Sequence, residues 1–271
     1  VSTVDVRSFT VGPVQENSYI VRASGEERRA VMVDPGEESE RLLAAARSLD
    51  LEIEAILITH CHFDHIGAVA PVARATGAPV YCPEIERGVL ADVMSWVPPG
   101  FGPFESWEAE HTVAGGERLS IAGLDIEVLF TPGHSPGHVT YAIAPSRARA
   151  RKSAISDTPS SDTESSDTES SGTESSGTQT SQTESPPALL SGDVLFQGSV
   201  GRVDLPGGDW NVLERSIEGL VRGFPQATVV YPGHMGVTTL GRELESNPFL
   251  SELRVRVPAG TVASGAAAAG R

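Results

Sequence analysis

Cysteine is nearly missing from this chain. Two occur in 271 residues, Cys61 and Cys82, and they form no Cys-x-x-Cys pair. A disulfide framework is therefore not implied, and a reducing, cytoplasmic setting is the simplest expectation. No stretch of eighteen apolar residues occurs, so no membrane span is expected. The opening Val-Ser-Thr-Val-Asp-Val lacks a basic start followed by an apolar run, and no signal peptide is read there. Positive charge is also scarce. Lys and Arg number 20 against 36 Asp and Glu, for a net charge of −16. An acidic surface repels phosphate backbones, which argues against nucleic acid as substrate or partner.

What is present is a core-forming apolar content of 39% and seven histidines. Five of these (His60, His62, His65, His134, His234) stand in turns. The densest stretch is residues 59–67, Thr-His-Cys-His-Phe-Asp-His-Ile-Gly. Imidazole and carboxylate are ligand types for zinc and similar divalent ions. In extended chain, positions 60 and 62 point the same way, so two imidazoles can grip one ion. Asp64 and His65 follow where the chain can turn back toward a second. Cys61, between two such ligands, is expected to face away.

The coarse pattern alternates strands and helices. Strands are expected at 3–10, 17–22, 29–33, 53–58, 80–82, 117–121, 125–130, 139–144, 188–192 and 228–231, and helices at 38–49, 65–76, 84–94 and 210–222. Pro71 falls awkwardly in the second helix, as a kink or a restart. Asp209 is placed to cap the last. Asp34, in Asp-Pro-Gly, either caps the helix from 38 or sits behind a metal ligand as an acceptor. Residues 95–107, rich in Pro and aromatics, read as a flap over a substrate or as a surface loop packing its own rings.

From 153 to 187 the composition shifts to Ser, Thr, Asp, Glu and Gly, with seven acids and no base. Such a segment cannot offset its own ordering entropy. The expected organisation is one folded domain from 1–145 and 188–257, a disordered low-complexity insertion at 146–187, and a flexible tail at 258–271. A partner for the insertion is left unnamed.

One arrangement recurs four times: an apolar strand, a turn, then a ligand-type side chain. Ile-Leu-Ile-Thr leads to His60, Val-Leu-Phe-Thr-Pro-Gly to His134, Leu-Leu-Ser-Gly to Asp193, and Val-Val-Tyr-Pro-Gly to His234. If these turns gather at one edge, His60, His62 and His134 would hold one ion and Asp64, His65 and His234 another, with Asp193 between. A divalent ion lowers the pKa of bound water to about 7 and makes hydroxide available for attack on a carbonyl. Asp64 would orient that hydroxide, and no protein nucleophile is required.

Taken together, Thr-His-Cys-His-Phe-Asp-His-Ile-Gly, Thr-Pro-Gly-His-Ser-Pro-Gly-His, Ser-Gly-Asp-Val-Leu-Phe and Tyr-Pro-Gly-His resemble the metallo-β-lactamase superfamily. Within it the chain is similar to short hydroxyacylglutathione hydrolases (glyoxalase II), through residues 198–209 and 238–250. The resemblance implies an α+β, four-layer αββα sandwich with a two-metal edge site, whose ligands fall on His60, His62, Asp64, His65, His134, Asp193 and His234. It implies hydrolysis of a small-molecule hydroxyacyl thioester with two divalent ions, zinc expected, iron or manganese also compatible. The helical C-terminal domain of full-length glyoxalase II enzymes is not expected. Arg202 and Asp204 stand near positions where those enzymes carry thiol-contacting Lys and Tyr, so Arg202 is a candidate for a substrate carboxylate or a member of a surface ion pair. His138 is expected behind the metal ligands, and His111 carries no signal. The rival readings are a persulfide dioxygenase with one iron on His60, His134 and Asp193, and a non-catalytic binding module.

Overall fold

The structure, a computed structural model, describes residues 4–146 and 186–257. The expected insertion and tail fall almost wholly outside them. Two six-stranded sheets dominate. The first is ordered β1 (Asp5–Val11), β2 (Glu16–Arg22), β3 (Arg29–Val33), β4 (Glu52–Leu57), β5 (Val80–Pro83), β6 (His111–Val113). Its first three strands pair antiparallel and the remainder parallel, so helices carry the chain across between β3, β4 and β5. The second is ordered β14 (Thr238–Thr239), β13 (Val229–Pro232), β10 (Ala188–Gly192), β9 (Val139–Pro145), β8 (Leu124–Phe130), β7 (Arg118–Ile121). A two-stranded ribbon, β11 (Leu195–Phe196) with β12 (Ser199–Val200), interrupts the glycine-rich loop after β10.

Period-two alternation explains the layering. Val21, Val31 and Leu57 of the first sheet pack against Val128, Tyr141 and Leu190 of the second. Their chain neighbours Ile20, Met32 and Ile56 point outward, onto Leu42 of α1 (Ser39–Ser48), Val72 of α3 (Val69–Thr76) and Leu90 of α4 (Arg87–Ala91). On the far side Leu189 and Val230 meet α5 (Trp210–Gly223), α6 (Leu240–Ser246) and α7 (Ser251–Arg256) through Leu213, Ile217, Leu244 and Leu253. Both sheets are buried on both faces, which is the four-layer αββα sandwich expected. Among the described residues no helix is long and apolar enough to cross a membrane.

Three local readings change. The helix read over 65–76 is two pieces: a single turn, α2 (Phe63–Ile66), and α3, parted at Gly67-Ala68. Pro71 falls in the first turn of α3, where its missing N–H removes no helical hydrogen bond. The helix read over 84–94 is a 3-10 turn, the short α4 and another 3-10 turn. Asp34 caps nothing: α1 begins at Glu38 without a side-chain cap, and Asp34 has φ +47° and turns its carboxylate inward. Asp209 does cap α5, accepting from Val212 N–H at 2.9 Å.

Candidate metal centre

Four strand ends meet at one edge of the sandwich. β10 and β13 run parallel with Gly192 opposite Pro232, so Asp193 and His234 leave the sheet side by side. The sheets are stitched together here. Val139 N–H donates to Thr59 O at 2.8 Å, Tyr141 O–H to Ile58 O at 2.9 Å, and Asn17 N–H to Gly233 O at 2.7 Å. Asn17 also donates through Nδ2 to Pro232 O and Met235 O, holding the His234 turn from the opposite sheet. Behind His134, α5 abuts its turn: a Cβ on Gly133 would lie 2.2 Å from Leu213 N.

The seven residues read from the sequence come together as two clusters sharing a carboxylate. His60 Nε2, His62 Nδ1 and His134 Nε2 lie 2.8 to 3.2 Å from one another. Asp64, His65 and His234 form the second group. His234 Nε2 is 3.2 Å from Asp64 Oδ2, and His65 Nε2 is 3.9 Å from the same oxygen. Asp193 spans them: Oδ1 is 3.4 Å from His65 Nε2, while Oδ2 is 3.5 Å from His134 Nε2 and 3.6 Å from His234 Nε2. A tetrahedral zinc ion with bonds of 2.0–2.1 Å keeps its ligand atoms about 3.3 Å apart. The donor atoms are spaced accordingly. Two of them, His65 Nε2 and Asp193 Oδ1, are buried and make no hydrogen bond. Buried polar atoms without partners are costly, and cations between these clusters would satisfy them. Gly233 leaves room: a Cβ there would sit 2.2 Å from Asp193 Oδ1.

The rear nitrogens are oriented as metal-bound imidazoles require. Asp34 accepts from Thr59 N–H (2.7 Å) and Thr59 O–H (2.6 Å), and its Oδ2 lies 3.0 Å from His65 Nδ1. His60 Nδ1 faces Thr59 Oγ1, His134 Nδ1 donates to Arg202 O at 2.7 Å, and His234 Nδ1 faces Gln15 O at 3.3 Å. His138 stands outside both clusters. Its Nε2 accepts from Asp193 N–H at 3.0 Å, which aims the shared carboxylate.

Burial and the neighbouring imidazoles hold His60 well below its ordinary pKa and push His62 down to about 4, so both present lone pairs at neutral pH. For His65, burial works downward but the carboxylates of Asp193, Asp64 and Asp34 outweigh it and raise the group. His234 is raised in the same way, burial being overcome by Asp64 and Asp193. Burial would lift the carboxyls of Asp64 and Asp193. The histidines, His65 foremost, hold both below the usual range instead.

Sequence reading missed Glu86. It is buried in the 3-10 turn before α4 and ties two ligand loops together. Its Oε2 accepts from Cys61 N–H at 2.5 Å, and its Oε1 from Gly137 N–H at 2.8 Å and from Ser135 O–H. Residues 133–137 have the Gly-x-Ser-x-Gly spacing of a nucleophile elbow. Here they join two strands, and the serine hydroxyl is engaged by Glu86. Glu16 was also missed. Fully buried 3.8 Å from His65 Nδ1, its carboxyl is held well above the ordinary range by desolvation. Cys61 does face away, its sulfur 3.5 Å from that of Cys82 in the core, and burial raises its thiol pKa.

A cavity of about 740 Å³ opens over the clusters, lined among others by Trp96, Pro98, Ile85, Leu205 and Arg202. In the 95–107 loop, Trp96 and Pro98 line the cavity, while Phe101 and Phe104 pack not on the loop's own rings but on Phe63 of α2. Arg202 lines the cavity and forms the surface ion pair expected as one of its readings: Asp204 engages its guanidinium at 2.7 Å through two nitrogens.

Residues 11–147 match the family model described as "Metallo-beta-lactamase superfamily". The "Probable metallo-hydrolase YqgX" of Bacillus subtilis (strain 168) is 32% identical over 250 residues, 90% of this chain and 97% of that protein. "Hydroxyacylglutathione hydrolase GloC" of Haemophilus influenzae is 28% identical over 92% of this chain and 99% of its own length. Among solved structures, BLEG-1 B3 metallo-beta-lactamase superposes with a TM-score of 0.71 at 33% identity, covering 91% of this chain and all of that one. TTHA1623 in a di-iron-bound form gives 0.59 at 36% identity, over 90% of this chain and all of its own.

Proposed function

Because the chain belongs to the metallo-β-lactamase superfamily, we propose that it is a two-metal hydrolase of small-molecule hydroxyacyl thioesters. The carrying observation is the pair of donor clusters joined through Asp193. It favours two ions over the single iron of a persulfide dioxygenase. The similarity to a protein named hydroxyacylglutathione hydrolase supports the thioester. Zinc is the proposed metal. The di-iron form of one neighbour makes iron the alternative to be measured.

The proposed holders are His60, His62 and His134 on one side, Asp64, His65 and His234 on the other, and Asp193 between. Bound there, divalent ions supply Lewis acidity, acidifying water and polarising an acyl carbonyl. The chain's own residues do the rest. Asp64, kept ionised by its histidine neighbours, accepts a hydrogen bond from the attacking water and orients it. Asp34, Thr59 and the Arg202 carbonyl fix the imidazoles, so that no donor reorganises during turnover. Water attacks the thioester carbonyl carbon, the carbon–sulfur bond breaks, and an acid and a thiol leave. A cytoplasmic location, resting on the two cysteines and their reduced thiols, belongs to the same proposal.

Mass spectrometry of metal content, followed by a thioester panel with a chromogenic β-lactam as control, tests the reading. Two metals per chain and cleavage of a hydroxyacyl thioester are expected. A β-lactam cleaved faster than every thioester would sink it.

A further inference from the structure

Large apolar side chains crowd the mouth of the cavity. Trp96 is 59% exposed, Ile85 63% and Val14 37%, and all three line it. Leu205 and Pro206 line it as well. Solvent-facing Trp and Ile are costly to keep bare, and clustered on a concave surface they mark a binding site.

The charges point the same way. Arg202 is the one arginine or lysine among the described residues lining the cavity, and Asp204 engages its guanidinium through two nitrogens. The chain's one lysine, Lys152, is not among the described residues. Of the acids in the wall, Asp64 and Asp193 belong to the donor clusters, and Glu86 is engaged by Cys61, Ser135 and Gly137. A glutathione conjugate brings two carboxylates and an ammonium group. Arg202, exposed and shared with Asp204, offers one cation at most, so a second carboxylate would meet no arginine or lysine among the described residues of the wall.

We infer that this cavity selects a hydroxyacyl thioester whose acyl group, beyond its hydroxyl, is an uncharged alkyl or aryl chain lying against Trp96, Ile85 and Leu205, and that it disfavours glutathione conjugates. The inference rests on the thioesterase reading above, which it narrows. The reaction is unchanged: water adds to the carbonyl, the carbon–sulfur bond breaks, and the products are the hydroxy acid and the free thiol.

The test uses the zinc-loaded full chain and two series. In the first, S-(2-hydroxyacyl)-N-acetylcysteamines of two to eight carbons are compared with S-lactoylglutathione. kcat/KM should rise about fourfold per methylene until the wall is covered, the glutathione conjugate should trail the longer chains, and Trp96→Ala should flatten the rise. In the second, titration calorimetry follows alkanoates from acetate to octanoate, which need no turnover, and affinity should climb in the same steps. If no thioester is cleaved while alkanoate affinity still climbs, the thioesterase reading fails and the apolar cavity stands. A flat alkanoate series, or a panel led by lactoylglutathione, overturns the inference itself.

Discussion

Asp34 and Glu16 are two buried carboxyl groups beside one histidine, and their environments set them apart. Asp34 accepts two hydrogen bonds from Thr59 and faces His65 Nδ1. An asparagine there would turn an amide donor toward a donor, so Asp34→Asn should weaken metal binding by about 10- to 100-fold in a chelator competition titration. Burial pushes the Glu16 carboxyl well above the ordinary range, toward the neutral form. Glu16→Gln keeps the size of the side chain and a neutral head, and should bind metal as the parent does in the same titration. A second expectation concerns protons. Without metal, the neighbouring carboxylates raise His65 and His234 against burial, whereas burial and the neighbouring imidazoles lower His60 and His62. Ligation requires the neutral form, so metal binding should release protons held by His65 and His234 and should tighten as pH rises. Calorimetry in buffers of different ionisation enthalpy reads this directly; heats independent of buffer would contradict it. The ligand residues were legible in sequence because each follows an apolar strand and a turn. Glu86 and Glu16 were not, because their roles lie in contacts that no local pattern announces. Glu86 meets Cys61 and Gly137, 25 and 51 residues away along the chain.

Between residue and molecule, the ligand loops are held by neighbouring elements more than by themselves. Glu86, in the turn before α4, is the common acceptor for the loops carrying His62 and His134. Glu86→Ala would strand two buried backbone N–H groups, each costing about 1–3 kcal/mol. Thermal unfolding should show that loss, and metal content should fall with it, whereas Glu86→Gln should recover part of both. Gly233→Ala probes the β13 turn: its Cβ would press on Asp193 Oδ1, so the purified variant should carry fewer than two metals while its far-ultraviolet spectrum stays native. The longer strands and α5 were readable from alternation, period and cap. β6 and β14, three and two residues long, were not, since such strands exist only through pairing with β5 and β13. The helix at 84–94 was overcalled because a run of helix-forming residues says nothing of the tertiary contacts that break it into turns.

At the scale of the whole molecule, the sequence announced two packed sheets through the family its motifs resemble. Strand order and the parallel pairing of β10 with β13 were not legible, because each depends on contacts distant along the chain. That pairing brings Asp193 beside His234. Another long-range fact has a direct test. β9 and β10 pair antiparallel with Ile143 opposite Ala188, so the long segment between them joins strand ends that already lie together. Replacing residues 147–185 by a four-residue turn should leave metal content and turnover intact, and should raise stability by about 2 kcal/mol through the shorter closure. A loss of metal on that replacement would assign the segment a part in the site.

The same strand pair divides the donors between two stretches of chain. Five of the seven candidate ligands precede residue 147 and two follow residue 185. A protease cutting once between those positions would leave two polypeptides sharing one metal centre. The ions would then tie the pieces together beside the β9–β10 pairing and the shared cores, and a chelator would remove one of the ties that hold a cut protein as one.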